Sequence, residues 1–255
     1  MARSEERRHP TGGALWWGES WGFEWALPDG SLGGFVRHTV YPRRNLAWFW
    51  AAVVGDGRNY VLCRDHDLAP PADPNVLEVR GGGLWSHAIC ETPLEHWTVA
   101  MEAFAVEFDD PMEAWRQERG DRIGLAFDLE WEGPAAAAVW LNGTDSDVSR
   151  YEQPCEVHGD LQLGDESWTI DAIGRRHHEW GPLDWRPSLP GAARSDSSRN
   201  RTVVAEAPLL VDGPGGSQLR LLRTLGRVER DGDGDANAGA AAEWSETLFP
   251  SGAGG

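Results

Sequence analysis

The sequence predicts an all-β fold, a sandwich or barrel of about fifteen short strands with turn signals roughly every ten residues. Three observations predict it. The stretch RIGLAFDLEW (122–131) alternates large apolar residues with small or polar ones, NLAWFWAAVV (45–54) is apolar at both parities, and helical periodicity is almost absent. Alternation of period two marks a strand with one buried face, and apolar residues at both parities mark a strand covered on both faces.

Taken in order, WGFEWAL sets Trp21, Phe23 and Trp25 on one face and Gly22, Glu24 and Ala26 on the other. Pro28-Asp29-Gly30 makes a turn, and GGFVRHTVY returns as a second strand. NLAWFWAAVV follows, and Asp56-Gly57 is a hairpin signal before NYVLCRDHDL. The loop APPADPN leads to LEVRGGGLWSHAICE and HWTVAMEAFAVEF. In DDPMEAWRQERGD, Pro111 near the start and Gly120 at the end frame a short helical linker. Beyond it Ile123, Leu125, Phe127, Leu129 and Trp131 share one face, and AAAAVWL, CEVHGDLQL, SWTIDAIG and RHHEWG continue the β pattern, with Gly164-Asp165 as a turn. After the polar loop ARSDSSRNR come TVVAEAPLLV, QLRLLRTLGRV and EWSETLF, the last two interrupted by RDGDGDANAGAAA. The expected organisation is a disordered N-terminus (1–14), a first β domain (15–110), a linker (111–121) and a second β domain (122–250) with a disordered insert (229–242).

Composition narrows the function. With 41 acidic against 23 basic residues, all of them arginine, the net charge of −18 repels a phosphate backbone, and nucleic-acid binding is not expected. No apolar run approaches the roughly 18–20 residues of a membrane span. The charged start MARSEERRHPTGG lacks an apolar signal core, so a cytoplasmic location is expected. Cys63, Cys90 and Cys155 are far apart and odd in number, as packing residues are. The fifteen tryptophans suit either a large β core or the wall of an apolar cavity.

The segment GRRHHEWGPLDW (174–185) concentrates the chemistry. Neighbouring residues of a strand face opposite ways, so His177 and His178 cannot both ligate one ion without a bulge. His38, His66, His87, His96 and His158 show no HxxxH spacing, and no metal is expected. DGDGDANAG fails as a calcium loop at Ala236 and again at Ala242. Gly81-Gly82-Gly83 has no phosphate-loop lysine, and there is no GxSxG. Two readings of the segment remain: an acid–base site facing an apolar ligand, and a strand end with polar residues on its wet side. His178, Trp180 and Asp184 share a parity. A fully extended path sets His178 and Asp184 about 20 Å apart, so direct contact requires a bend at Gly181-Pro182.

The stretch YEQ (151–153) followed by GDLQLGDESWTIDAIGRRHHEWGPLDW (159–185) resembles the AttH-like and carotenoid 1,2-hydratase (hydroxyneurosporene synthase) group, which has many actinobacterial members. Gly174, Arg176, His178, Trp180, Gly181, Asp184 and Trp185 match that group's G-x-R-D-H-S-W-G-x-R-D-W block. His177, Glu179 and Leu183 depart from it. Glu19-Ser20-Trp21, and Pro93-Leu94 ahead of Trp97, agree with its first-domain pattern. The resemblance implies two lipocalin-like β units in tandem with an apolar cavity, the second unit shorter than the pattern after Trp185. It also implies cofactor-independent hydration, isomerisation or cyclisation of a terpenoid or polyene. His178 and Asp184 would handle protons, with Tyr151, Arg176, Trp180 and Trp185 around the substrate. The alternatives are a carrier for a lipid or terpenoid that performs no chemistry, and a carbohydrate binder with exposed indoles.

Overall fold

The computed structural model describes residues 1–116, 119–141, 147–183, 201–213, 216, 218–228 and 241–249. Its strands are β1 (Trp17–Ala26), β2 (Leu32–Tyr41), β3 (Leu46–Gly55), β4 (Tyr60–Leu68), β5 (Val79–Gly81), β6 (Leu84–Thr92), β7 (His96–Phe108), β8 (Asp121–Glu132), β9 (Val139–Trp140), β10 (Ser149–Leu163), β11 (Glu166–Pro182), β12 (Arg201–Asp212), β13 (Gln218–Val228) and β14 (Ala241–Phe249). The fold is all-β. Its helical pieces among the described residues are short 3-10 turns, and none of its helices is long and apolar enough to cross a membrane.

The strands β4-β3-β2-β1-β11-β10-β8-β7 are hydrogen-bonded neighbours in that order. A further pairing of β4 with β7, through Tyr60–Phe108, Val61–Glu107 and Leu62–Val106, closes the ring. Eight strands enclose a space that side chains can fill. The β5–β6 hairpin extends from β7, and β9 lies against β10, while β12-β13-β14 form a separate sheet.

Alternation explains what fills the ring. Trp21, Phe23 and Trp25 of β1 meet Leu125, Leu129 and Trp131 of β8 and Val157, Ile170 and Ala172 of β10 and β11 in one inner core. β3 is buried on both faces, as its composition predicts. Ala47, Phe49, Ala51 and Val53 join the inner core, and Trp48, Trp50, Ala52 and Val54 join a second core beneath the three-stranded sheet, with Leu209, Leu221 and Trp244. Most of the described tryptophans are therefore packing residues.

Two expectations about organisation are corrected. The stretch 111–121 connects the hairpin β7–β8, whose register runs from His96–Glu132 to Glu107–Asp121. Its Pro111–Trp115 turn is capped by Asp110, whose carboxylate accepts the Met112 N–H at 3.0 Å. β8, β10 and β11, expected in a separate second unit, complete the ring because their apolar faces have the inner core to bury against. The N-terminus 1–14 is also not disordered. It forms a 3-10 turn at Arg3–Glu6, and Glu6 is only 5% exposed inside the barrel end. Of the insert 229–242, residues 229–240 lie outside the described residues, whereas Ala241 and Ala242 open β14.

Gly174 shows how close the strands pack. A Cβ there would lie 2.4 Å from the Glu24 carbonyl oxygen and 2.5 Å from a Val157 methyl. Backbone cannot yield as a flexible side chain can, so we expect Gly174→Ala to lower stability by about 1–3 kcal/mol. Urea unfolding followed by tryptophan fluorescence measures this, and an unchanged midpoint would refute the close approach.

Candidate functional site

The register of the ring sets a row of aromatic rings across the barrel. Phe49 pairs with His38, His38 with Trp21, Trp21 with His178, His178 with Tyr151, and Tyr151 with Trp140. Glu19 pairs with Trp180 one inward-facing position further along β1. His178 has no exposed surface. Its ring stacks on Trp21 at 4.6 Å between centroids and lies 4.9 Å from Trp180 and 5.6 Å from Tyr151.

One nitrogen of His178 is held and the other is free. Nε2 lies 2.9 Å from Glu19 Oε1, and Nδ1 has no partner among the described residues. That pattern places the ring hydrogen on Nε2, donated to the carboxylate, and leaves the lone pair on Nδ1. Burial pushes the His178 pKa below its ordinary value, more than Glu19 raises it. The ring is thus a neutral base, anchored on one side by a carboxylate as in known acid–base dyads.

Glu19 serves a second imidazole. His9 Nδ1 lies 2.8 Å from the same Oε1, and the His9 backbone N–H donates to both carboxylate oxygens at 3.1 Å. The His9 ring stacks on Trp180 at 3.7 Å. Burial opposes charge on His9, yet the hydrogen bonds and negative charges of Glu19 and Glu5 outweigh it and raise the pKa. Burial likewise opposes the Glu19 charge, and contact with His178 and His9 outweighs it, so its pKa is lowered.

Below this layer sits a buried ion pair. Arg176 donates to Glu6 Oε1 at 2.7 Å and to Oε2 at 3.3 Å, and also to Gln153. Tyr151 and the Trp97 indole complete the Glu6 shell at 2.7 and 2.8 Å. Burial raises the Tyr151 phenol well above its ordinary value. Nearby, His38 reaches Ser86 at 3.3 Å, and burial, with His87 adding to it, lowers its pKa to about 3.

The predicted residues therefore divide. Tyr151, His178 and Trp180 meet as expected, whereas Arg176 is engaged by Glu6 and Gln153 and is not presented to a substrate. Asp184 and Trp185 lie outside the described residues. The strand end suggested at Gly181-Pro182 is present: β11 stops at Pro182, and the Leu183 N–H closes a tight turn on the Gly181 carbonyl at 2.9 Å. Gly181 adopts φ 136°, yet β11 keeps pairing with β1 through Trp17–Pro182. The carboxylate on His178 is Glu19, from β1. Where an enclosed apolar cavity was expected beside His178, His9, Glu19, Trp21 and Trp180 pack instead. Depressions of about 520, 950 and 640 Å³ on the molecule are lined by none of these residues. His9 and Glu6 carry no signal of their own in the sequence; Glu19 stands in the Glu19-Ser20-Trp21 motif.

The departures from the family block lie away from this interior. His177 and Glu179 face outward under the three-stranded sheet, where Glu179 pairs with Arg37 and with Arg150 at 3.4 Å. Burial, and then the charges of Arg150, Arg37, Arg223 and Arg175, hold the His177 pKa well below its ordinary value. Among the described residues, two groups could hold a metal ion. His9, Glu19 and His178 each offer an atom within 4.8 Å of the others, as do the more exposed His96, Glu130 and Glu132.

Fold and site together define a closed β-barrel with a buried histidine–carboxylate dyad. The chain belongs to the family described as Domain of unknown function (DUF7064), whose model matches residues 2–195 and so takes in every strand of the ring. No curated protein matches it. Among solved structures, it is similar to a candidate AttH from Nitrosomonas europaea (14% identity, 91% of this chain and 69% of that one, TM-score 0.40). It is also similar to kievitone hydratase from Nectria haematococca (10% identity, 95% and 94%, TM-score 0.41). A third similar structure is CghA with Sch210972 (10% identity, 92% and 58%, TM-score 0.37).

Two outcomes are expected. Glu6→Ala strands a buried guanidinium and should destabilise the protein by about 3–5 kcal/mol, read from urea midpoints; a loss below about 1 kcal/mol is the range of an exposed pair and would contradict this placement. In imidazole NMR titrations, His9 should titrate above its ordinary 6.5 and His178 below it. The signs follow from linkage. The His9 contribution is present below pH 6.5 and lost as pH rises through its higher folded value. That of Glu19 is present above 4.5 and lost as pH falls through its lowered value. His178 binds its proton more readily when unfolded, so it weakens the fold as pH drops below 6.5.

Proposed function

We propose that the barrel performs cofactor-independent acid–base chemistry, a hydration, isomerisation or cyclisation, on a hydrophobic isoprenoid-like or polyene molecule. One observation carries this reading: a fully buried imidazole anchored to Glu19 through Nε2, with an unpartnered Nδ1 among indole faces. A buried polar atom without a partner calls for a reason, and proton transfer supplies one. Nδ1 takes a proton from a C–H or from water, Glu19 stabilises the imidazolium that forms, and the same nitrogen returns the proton. Trp21 and Trp180 exclude water, and the π face of Trp21, stacked on the ring, favours the imidazolium while it carries the proton.

His178→Ala should abolish turnover of a polyene or isoprenoid panel while changing ligand affinity only a few-fold, and Glu19→Gln should lower kcat by about 10²–10⁴. Turnover that survives His178→Ala refutes the assignment. A ligand that binds and is recovered unchanged by mass spectrometry after long incubation with the native protein makes the barrel a carrier.

A further inference from the structure

We infer that His9, Glu19 and His178 form a binding site for a divalent transition-metal ion that fastens the N-terminal segment into the barrel. The three donors come from separate parts of the chain: the segment before β1, β1 itself and β11. His9 Nδ1 and His178 Nε2 stand 2.8 and 2.9 Å from one carboxylate oxygen of Glu19, and all three donor atoms lie within 4.8 Å of one another.

Ligand atoms bonded at 2.0–2.2 Å around a tetrahedral ion are about 3.3–3.5 Å apart. The two contacts need open by only about half an ångström to admit one. Two imidazoles and one carboxylate select zinc, cobalt, nickel, copper or iron over magnesium and calcium, which prefer oxygen. The rings are already aimed: His9 is stacked on Trp180 at 3.7 Å and His178 on Trp21 at 4.6 Å. Glu5 lies 3.4 Å from His9 Nε2, the outer carboxylate that commonly orients a ligating imidazole. The Glu19 and His178 side chains are 3% and 0% exposed, so little water competes at the barrel side of the site. The group His96, Glu130 and Glu132 offers one nitrogen and mostly exposed carboxylates, a weaker set for such an ion.

Occupancy has a chemical consequence that rests on the proposed acid–base reading. An ion on Nε2 obliges the ring hydrogen of His178 to sit on Nδ1, the atom that would otherwise accept a proton. It also holds His9 against Trp180, and with it the N-terminal segment in the barrel end. The ion therefore silences the base.

The test titrates the chelator-stripped full chain with Zn²⁺ by calorimetry and with Co²⁺ by visible absorption. One high-affinity ion per chain is expected, with Co²⁺ bands typical of nitrogen and oxygen ligation. His9→Ala, Glu19→Gln and His178→Ala should each weaken it at least 100-fold, and His96→Ala should not. Tryptic cleavage after Arg7 and Arg8 should slow when Zn²⁺ is added to the native chain and be unaffected by it in His9→Ala. No binding, or binding that survives all three site variants, overturns the inference. Thermal melts without metal identify any variant that fails to fold, and His9→Ala, altered outside the strands, still decides the matter then. Turnover by metal-free protein together with absent Zn²⁺ binding sinks the ion site alone. Specific Zn²⁺ binding with no turnover in either state sinks the acid–base reading alone.

Discussion

Arg176 is the constraint from which the rest of the barrel end follows. A guanidinium cannot shed its charge, and inside a closed ring of strands it must meet an opposite one. Glu6 supplies that charge, with Tyr151 and Trp97 satisfying the carboxylate's remaining capacity. Because Glu6 lies before the first strand, neutralising Arg176 draws the N-terminal segment into the barrel mouth. Three residues later the same segment delivers His9 to Glu19. The pair is weak evidence for net stability, since dehydrating two charges offsets much of their attraction. It is strong evidence for where the segment must lie.

Strand parity then separates two polar systems on a single strand. Along β11, Arg176 and His178 point inward, while Arg175, His177 and Glu179 point outward beneath the three-stranded sheet. Outside, Arg175 binds Glu24 at 2.8 Å, Arg223 also reaches Glu24, and Arg37 donates to Ser20 at 2.7 Å. The outward set is a dense exchange of arginine and glutamate. The inward set is built around two carboxylates, Glu6 and Glu19, and leaves His178 Nδ1 without a partner among the described residues.

Much of this was legible in the sequence. The run from Ile123 to Trp131 reports its own buried face, and the double-parity run of β3 announces the two cores it separates. Which strands neighbour each other was not legible, since register is a long-range property. Parity put His178 and Trp180 on one face without saying which way it looks, and only the resemblance pointed that face inward. The carboxylate partner of His178 was not legible, because Glu19 lies opposite Trp180 on a strand 159 residues away in the chain. The N-terminal segment escaped detection for a simpler reason. MARSEERRHP is charged and aperiodic, and nothing local reveals that one of its glutamates answers an arginine 170 positions later.

Among the described residues, the three-stranded sheet has no hydrogen-bonded strand in common with the ring. It adheres through side chains, with Trp244 donating to the Trp25 carbonyl at 2.9 Å and Arg223 on Glu24. The family model stops at residue 195, before β12 begins at Arg201. Ring and cover are thus two sheets joined by one shared apolar core and by arginine–glutamate contacts at its edge. A chain that kept the ring and lost the cover would present the outward indoles of Trp48 and Trp50 beside an arginine-rich patch. It would have to recruit another surface to shield them.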